Sequence, residues 1–490
     1  MSDYGNYSAT PLEDKVMEEI FNEEKQDDVS GTESHKHTIP SKLAKEAFIG
    51  IAGEVIQAIE PHSEADPIAL LINFLTAFGS VIGDKPHFQV EADKHPCRLF
   101  AILVGETSKA RKGTSWGHIR SIFGVIDELW KQNIQTGLST GEGLIWAVRD
   151  EIKKTQPIRE KGRTVGAEEV VIDSGISDKR LLIHQDEFSS ALRVLEREGN
   201  TLSALVRRAW DTGDLQSLTK NNMTKATGAH ISILGHITKD ELLRYLTSTE
   251  TANGFGNRFL WFCVKRSKAL ALGSGITEVN FTPLHQKIRE AVDFAKQTDE
   301  IRWAEETKPI WVKIYPELSE GRQGLVGSMT ARAEAYATRL ACIYALLDLS
   351  RVVQQKHLLA ALAIWDYAEA SVRFIFQDRI GDPLANAIID ALKEKPEGID
   401  RTGISNIFGK NKSSSQITES LNVLEGSGRI KKEMQSTNGR NREIYSLISL
   451  NSFNSYTNKQ NYLDKAKEFL KNNKPQDYEK NEKNEYPKDK

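Results

Sequence analysis

"LFAILVGETSKARKGTSWGHIRSIF", residues 99–123, carries the reading of the fold. An apolar run ends at Gly105, a loop with two lysines, an arginine and several hydroxyls follows, and then an amphipathic segment begins. The order is strand, glycine-bearing loop, helix. Such a turn points backbone N–H groups inward at a helix N-terminus, which is what a phosphate group needs. The usual wording is G-x-x-x-x-G-K-[ST]. Here Lys112 precedes Gly113, so the glycine stands on the other side of the lysine. Lys112 is the natural phosphate lysine and Lys109 its competitor. Thr114 or Ser115 is the natural Mg2+ hydroxyl. Gly105, Thr107, Ser108 and Gly113 complete the expected cradle. The plain alternative is a solvated basic turn.

Four stretches downstream bear on that choice. "RLLIHQDEF", residues 180–188, reads as a buried strand ending in carboxylates. In a phosphate-loop enzyme one such acid helps to hold Mg2+ and a neighbouring Glu orients the attacking water. Asp186 fits the first role and Glu187 the second. Alternatively the acids favour the first turn of a helix that Ser189 caps. "HISILGHIT", residues 230–238, reads as a strand beside the acidic one, whose His236 or Thr238 can sense a terminal phosphate. A structural histidine is the bland reading. "ETANGFGNRFLW", residues 250–261, is a polar turn from which Arg258 enters an aromatic strand. Arg258 is either an arginine that completes a neighbouring subunit's site or one paired to a carboxylate. "LTKNNMTKATGA", residues 218–229, is a polar loop whose Lys220 and Lys225 could touch a single-stranded backbone, or simply face solvent.

The chain has 490 residues, room for two or three domains, and is 39% hydrophobic and 27% charged. Its net charge of −3 gives no global pull toward nucleic acid or anionic lipid, so such binding needs local patches. Cys97, Cys263 and Cys342 lie too far apart in sequence for a disulfide framework or zinc knuckle, and suit a reducing, cytoplasmic setting. Residues 67–83 are the most apolar stretch, but short for a membrane span and interrupted by Asn73, Thr76 and Ser80. A buried helix and no membrane association are expected.

Residues 1–38 read as a disordered acidic arm, 39–84 as an N-terminal helical part, and 85–328 as an α/β core with a mostly parallel sheet. Residues 329–380 read as a helical segment, and 451–490 as a disordered polar tail. Within the core, 142–154 reads as a helix, 154–180 as an inserted loop or hairpin, and 189–211 as one helix. Residues 381–450 follow the order helix, short helix, turn, helix, two-stranded wing, which is that of a winged helix-turn-helix. Arg401 to Tyr445 holds eight Lys/Arg against four Asp/Glu. Ser414 and Gln416 at the start of the recognition helix could meet phosphate or base edges, and Lys431, Lys432, Arg440 and Arg442 would arm the wing. A winged helix used for protein contact is the alternative.

Taken together, these words resemble the phage, plasmid and island proteins with a RecA-like P-loop ATPase domain of the "domain of unknown function 3987" type. "GDKPHFQVEADKHPCRLFAILVGETSKARKGTSWGHIR", "GLSTGEGLIWAVRDE", "SDKRLLIHQDEFSSALRVLEREGNTLSALVRRAWDTGDLQSLTKN", "ATGAHISILGHITKDEL" and "ANGFGNRFLWFCVKRSK" occur in the family's order across about residues 40–375. The resemblance implies that T-S-K-A-R-K-G-T-S is the family's own phosphate loop, with ATP and Mg2+ as ligands. It implies a ring-shaped homo-oligomer, a hexamer, related to replicative helicases, with Arg258 acting in trans. Nothing before residue 39 could be a primase domain, so a primase partner would be a separate chain. The family's acidic strand resembles one with a carboxylate where this chain has Gln185, which leaves Glu187 as the preferred catalytic acid. The expected function is an ATP-dependent motor on single-stranded DNA, with duplex DNA bound by the winged helix. The alternatives are a nucleotide-gated initiator or regulator that does not translocate, and a mobile-element defence component.

Overall fold

The computed structural model describes residues 40, 42–106, 110–160, 163–217, 224–273, 275–321, 324–376, 382–409, 411–426, 429–435, 442–448 and 461–473. The acidic arm 1–38 and the site candidates Thr107, Ser108, Lys109, Lys220 and Arg440 lie outside the described residues.

Five parallel strands form the central sheet: β1 (Phe100–Gly105), β2 (Ile134–Gln135), β3 (Arg180–Gln185), β4 (His230–Thr238) and β5 (Leu260–Val264). Their order is β5-β1-β4-β3-β2. The strands are near-continuous apolar runs because helices cover both faces of a parallel sheet. Those helices include α1 (Pro67–Val81), α2 (Lys112–Ile126), α3 (Phe188–Leu195), α4 (Leu202–Asp211), α5 (Lys239–Tyr245), α6 (Ala333–Leu347) and α7 (Gln355–Phe376). The chain is therefore a mixed α/β protein with a central parallel sheet, compatible with a RecA-like core.

The apolar 67–83 stretch is the buried helix α1, and every residue from Ile68 to Val81 is buried. Asp66 caps it by accepting the Ile68 N–H at 3.0 Å, with Pro67 in the first turn where its missing N–H costs nothing. The polar residues that made a membrane span implausible are fasteners. Asn73 donates to Ser115 Oγ at 2.9 Å on α2, and Ser80 accepts the Trp130 indole N–H at 2.9 Å. Among the described residues no helix is long and apolar enough to cross a membrane.

Register decides where ligands can meet the sheet. Gly105 pairs with Thr238 on one side and Val264 on the other, and Gln185 pairs with Gly235. The carboxyl ends of β1, β4 and β3 thus open along one edge, with β4 between the loop strand and the acidic strand. After β4 the chain crosses over β1 to lay down β5, so strand order switches beside β1. Open α/β sheets bind ligands at such switch points, outside the carboxyl ends of their strands. Gly235 is needed for this packing. A Cβ there would lie 2.5 Å from Ile102 Cδ1 and 2.9 Å from Phe188 Cδ2.

Three sequence expectations about secondary structure need correction. The helix expected through 142–154 stops at Ala147, and Ile152–Glu160 pairs instead with Arg163–Asp173 as an antiparallel hairpin. The single helix expected over 189–211 is α3 and α4, broken near Gly199, whose φ of 74° a helix cannot accommodate. The polar tail contains a helix, Tyr462–Asn472, capped by Asn461. Its Tyr462, Leu463 and Ala466 are buried, and the Tyr462 and Leu463 N–H groups bond the Asp366 carboxylate at 3.0 and 2.8 Å. A sparse apolar stripe in a Lys- and Asn-rich segment hid this element.

The C-terminal module has its own core. Helices α8 (Pro383–Glu394), α9 (Arg401–Ile407) and α10 (Ser414–Gly426) pack with β6 (Ile399–Asp400), β7 (Ile430–Gln435) and β8 (Arg442–Leu447). The antiparallel sheet order is β6-β8-β7. Ile388, Leu392, Ile404, Leu421 and Leu424 fill the interior.

Candidate functional site

β1 ends at Gly105 and α2 starts at Lys112. Arg111 precedes it in the left-handed region, φ 54°, a conformation that costs a non-glycine residue about 1–3 kcal/mol and persists only where neighbours impose it. Here the neighbour is Glu64, 2.6 Å from the Arg111 Nε. Glu64 also accepts the Leu270 N–H at 2.7 Å and pairs with Arg266. The Leu270 N–H first, then Arg266 and Arg111, hold its carboxyl down at about 2. Among the described residues, the first turn of α2 carries no side-chain cap and no acidic residue. Its N–H groups and the positive end of the helix dipole therefore suit an anion. Gly113 and Thr114 are exposed at this turn. A Cβ at Gly113 would meet nothing within 4 Å, so packing within the chain does not demand a glycine there.

Lys112 is buried, and burial lowers its pKa against the opposing pull of Glu241. Ser115 does not suit a metal. It is fully buried, donates to the Lys112 carbonyl at 2.6 Å and accepts from Asn73, so its hydroxyl is a helix fastener. Thr114 is left as the hydroxyl that faces outward.

His184 lies near the end of β3, and Asp186 lies in the turn just beyond that strand. The His184 Nδ1 lies 3.5 Å from Asp186 Oδ1, and the His236 Nδ1 on neighbouring β4 lies 3.9 Å from the same oxygen. His184 stacks on Trp116 of α2 at 5.0 Å and meets His236 edge-on at 4.9 Å. Both imidazoles are buried, while Asp186 is largely exposed. Burial, then His184 and Lys112, push the His236 pKa down to about 3. Burial also lowers that of His184, assisted by Arg120 and opposed by Asp186. Both rings are thus neutral near pH 7. Lys112, His184, Asp186 and His236 come from three elements yet share one electrostatic neighbourhood.

Glu187 is exposed at the start of α3, and its carbonyl accepts the Ser190 hydroxyl at 2.7 Å. Ser189 does not cap α3; it is buried and donates to Glu241 Oε1 at 3.0 Å. Gln185 is buried and accepts the Gly137 N–H at 3.2 Å, a strut where the resemblance led one to expect a carboxylate. Thr238 donates its hydroxyl to Glu241 at 2.8 Å within a capping box, which leaves His236 as the sensor candidate. Glu241 itself escaped the sequence reading. It joins the end of β4 to α3 and acts on Lys112, and T-x-x-E at 238–241 was the legible signal.

The arrangement does not support Arg258 as a residue that serves another subunit. It is buried, donates to Gly254 O at 2.7 Å and to Asn257 Oδ1 at 3.0 Å, and grips Asp211 with contacts of 2.9 and 3.2 Å. A fork so engaged presents no donor outward, and the paired-arginine alternative describes it. Lys225 is exposed on a two-residue strand paired to Leu215–Gln216.

In the C-terminal module, Ser414 is exposed and takes Arg401 on its carbonyl at 2.8 Å. Gln416 is exposed, and its Oε1 accepts the Ser413 N–H at 3.0 Å. Lys431 pairs with Glu433 at 2.6 Å, Lys432 with Glu443 at 3.4 Å and Arg442 with Asp400 at 3.9 Å. Exposed pairs of this kind are worth about 0–1 kcal/mol, so exchanging them for a phosphate partner costs little. No family model matches the chain, and the curated proteins contain no match to it.

Proposed function

We propose that the chain is an ATP-driven DNA motor with a RecA-like P-loop core, a ring-forming helicase that serves replication of a mobile element in the cytoplasm. One observation carries the reading: Lys112, Asp186, Glu187 and His236 gather at the carboxyl edge of one parallel sheet, beside a switch in strand order and a helix N-terminus that no side chain among the described residues caps. Those residues fit MgATP. The first turn of α2 would take the phosphates, with Lys112 at their terminal oxygens. Thr114 and Asp186 would hold Mg2+, which neutralises charge on the β- and γ-phosphates. Glu187, exposed at the mouth, orients the attacking water, and neutral His236 donates or accepts toward the terminal phosphate. The C-terminal module, acting as a winged helix, contacts duplex DNA through Ser414, Gln416, Lys431, Lys432 and Arg442. Lys225 contacts single-stranded backbone.

The commitment of Arg258 to Asp211 favours a second reading, a nucleotide-gated initiator or regulator that binds DNA without translocating. ATP hydrolysis is measured with and without single-stranded DNA for wild type and Lys112→Ala. The motor reading predicts DNA-stimulated hydrolysis that Lys112→Ala abolishes, and a wild type silent in both conditions ends it. Strand displacement on a forked duplex then separates motor from regulator.

A further inference from the structure

The motor reading makes no use of His184, and it uses only one ring atom of His236. We propose that His184, Asp186 and His236 together form a binding site for a divalent transition-metal ion. Candidate donor atoms of the three residues lie within 4.8 Å of one another, and among the described residues no other group of three His, Cys, Asp or Glu side chains does so. Two donors about 2.1 Å from one tetrahedral ion stand ~3.4 Å apart. The His184–Asp186 separation of 3.5 Å matches that spacing, and the His236–Asp186 separation of 3.9 Å is closed by a small turn of the exposed carboxylate.

The ligand set selects the ion. Imidazole nitrogens favour Fe2+, Co2+, Ni2+ or Zn2+, whereas Mg2+, Ca2+ and Mn2+ prefer oxygen. The backbone also prepares the site. Both histidines sit on adjacent, hydrogen-bonded strands, close in register, since His184 pairs with Leu234. Trp116 fixes the His184 ring plane. The exposed face of Asp186 leaves the remaining coordination positions to water or a phosphate oxygen. Neither His Nε2 has a hydrogen-bond partner among the described residues. Outer partners on ligating histidines raise metal affinity by about 10–100-fold, so their lack makes this an exchangeable site rather than a structural one. Lys112 and Arg120 are the cations that face it. Their charge opposes an ion arriving alone and is offset when phosphate binds beside it.

The site shares Asp186 and His236 with the proposed ATP site, so a transition-metal ion there would compete with Mg2+ for Asp186, but its occupancy does not depend on ATP hydrolysis. The full chain, free of nucleotide, is titrated with Co2+ and followed by its visible ligand-field absorption and by equilibrium dialysis. The expected result is one Co2+ per chain, displaced by Zn2+ but not by equimolar Mg2+, with binding weakened at least tenfold in Asp186→Asn and in His236→Gln. Asp186 is exposed, so Asp186→Asn tests the site even if the buried histidine variant does not fold. Absence of Co2+ binding up to millimolar concentration, or binding that Asp186→Asn leaves unchanged, overturns the proposal. Failure of ATP hydrolysis with intact Co2+ binding removes the motor reading alone.

Discussion

Raising the pH from 5.5 to 8.5 should loosen the helix Tyr462–Asn472 from the core. Asp366 is half-buried against the start of that helix and accepts the N–H groups of Tyr462 and Leu463. Burial raises its pKa from 3.8 to about 7; the two N–H bonds oppose the shift, and Glu369 and Asp464 add to it. A carboxyl whose pKa is raised on folding favours the docked state in its protonated form. Its contribution is whole below pH 3.8 and is lost as pH rises to the folded value. Between pH 5.5 and 7 the loss accumulates over about 1.5 pH units, roughly 2 kcal/mol or about thirtyfold in the docking equilibrium, and above pH 7 it levels off. The assay is amide hydrogen exchange of residues 462–472 across this range, corrected for intrinsic exchange. Protection should fall about thirtyfold in wild type and stay nearly flat in Asp366→Asn, which keeps an acceptor without the titration. Wild-type protection that is constant or rises with pH would refute the reasoning.

Further outcomes follow from named contacts. Gly235→Ala drives a Cβ into Ile102 and Phe188 and should cost about 1–3 kcal/mol in denaturant unfolding. Adding Ile102→Val removes the nearest atom, so the double variant should be less destabilised than the sum, and strict additivity would argue against the clash. Arg258→Ala should lower the stability of the chain by about 1–3 kcal/mol, held to that range because Asp211 is partly solvated. A residue that acts only on a neighbouring subunit would leave stability unchanged and abolish hydrolysis. Lys431→Ala should weaken DNA binding similarly for all sequences and reduce the salt slope by about 1, measured by fluorescence anisotropy at several salt concentrations.

Local pattern determined much of this protein. The apolar runs at 100–105, 180–185 and 230–238 are strands because buried parallel strands must be apolar on both faces, and a strand ends at Gly105 and a helix starts at Lys112 as the composition there says. The helix, short helix, turn, helix and wing order of 381–450 marked a separate module, and T-x-x-E at 238–241 is a readable cap. What pattern could not supply was partnership across the chain. Arg258 looked available because a polar turn delivers it, but Asp211, 47 residues away, claims it. Ser115 looked like a ligand because it follows a lysine, yet α1 had already taken its hydroxyl through Asn73. His184 was only an apolar-strand position until the parallel register set it beside His236 and beneath Asp186. Secondary structure follows from side chains a few residues apart, which sequence displays. Donor sets, ion pairs and burial depend on which strands become neighbours, and that is decided by how the whole core closes.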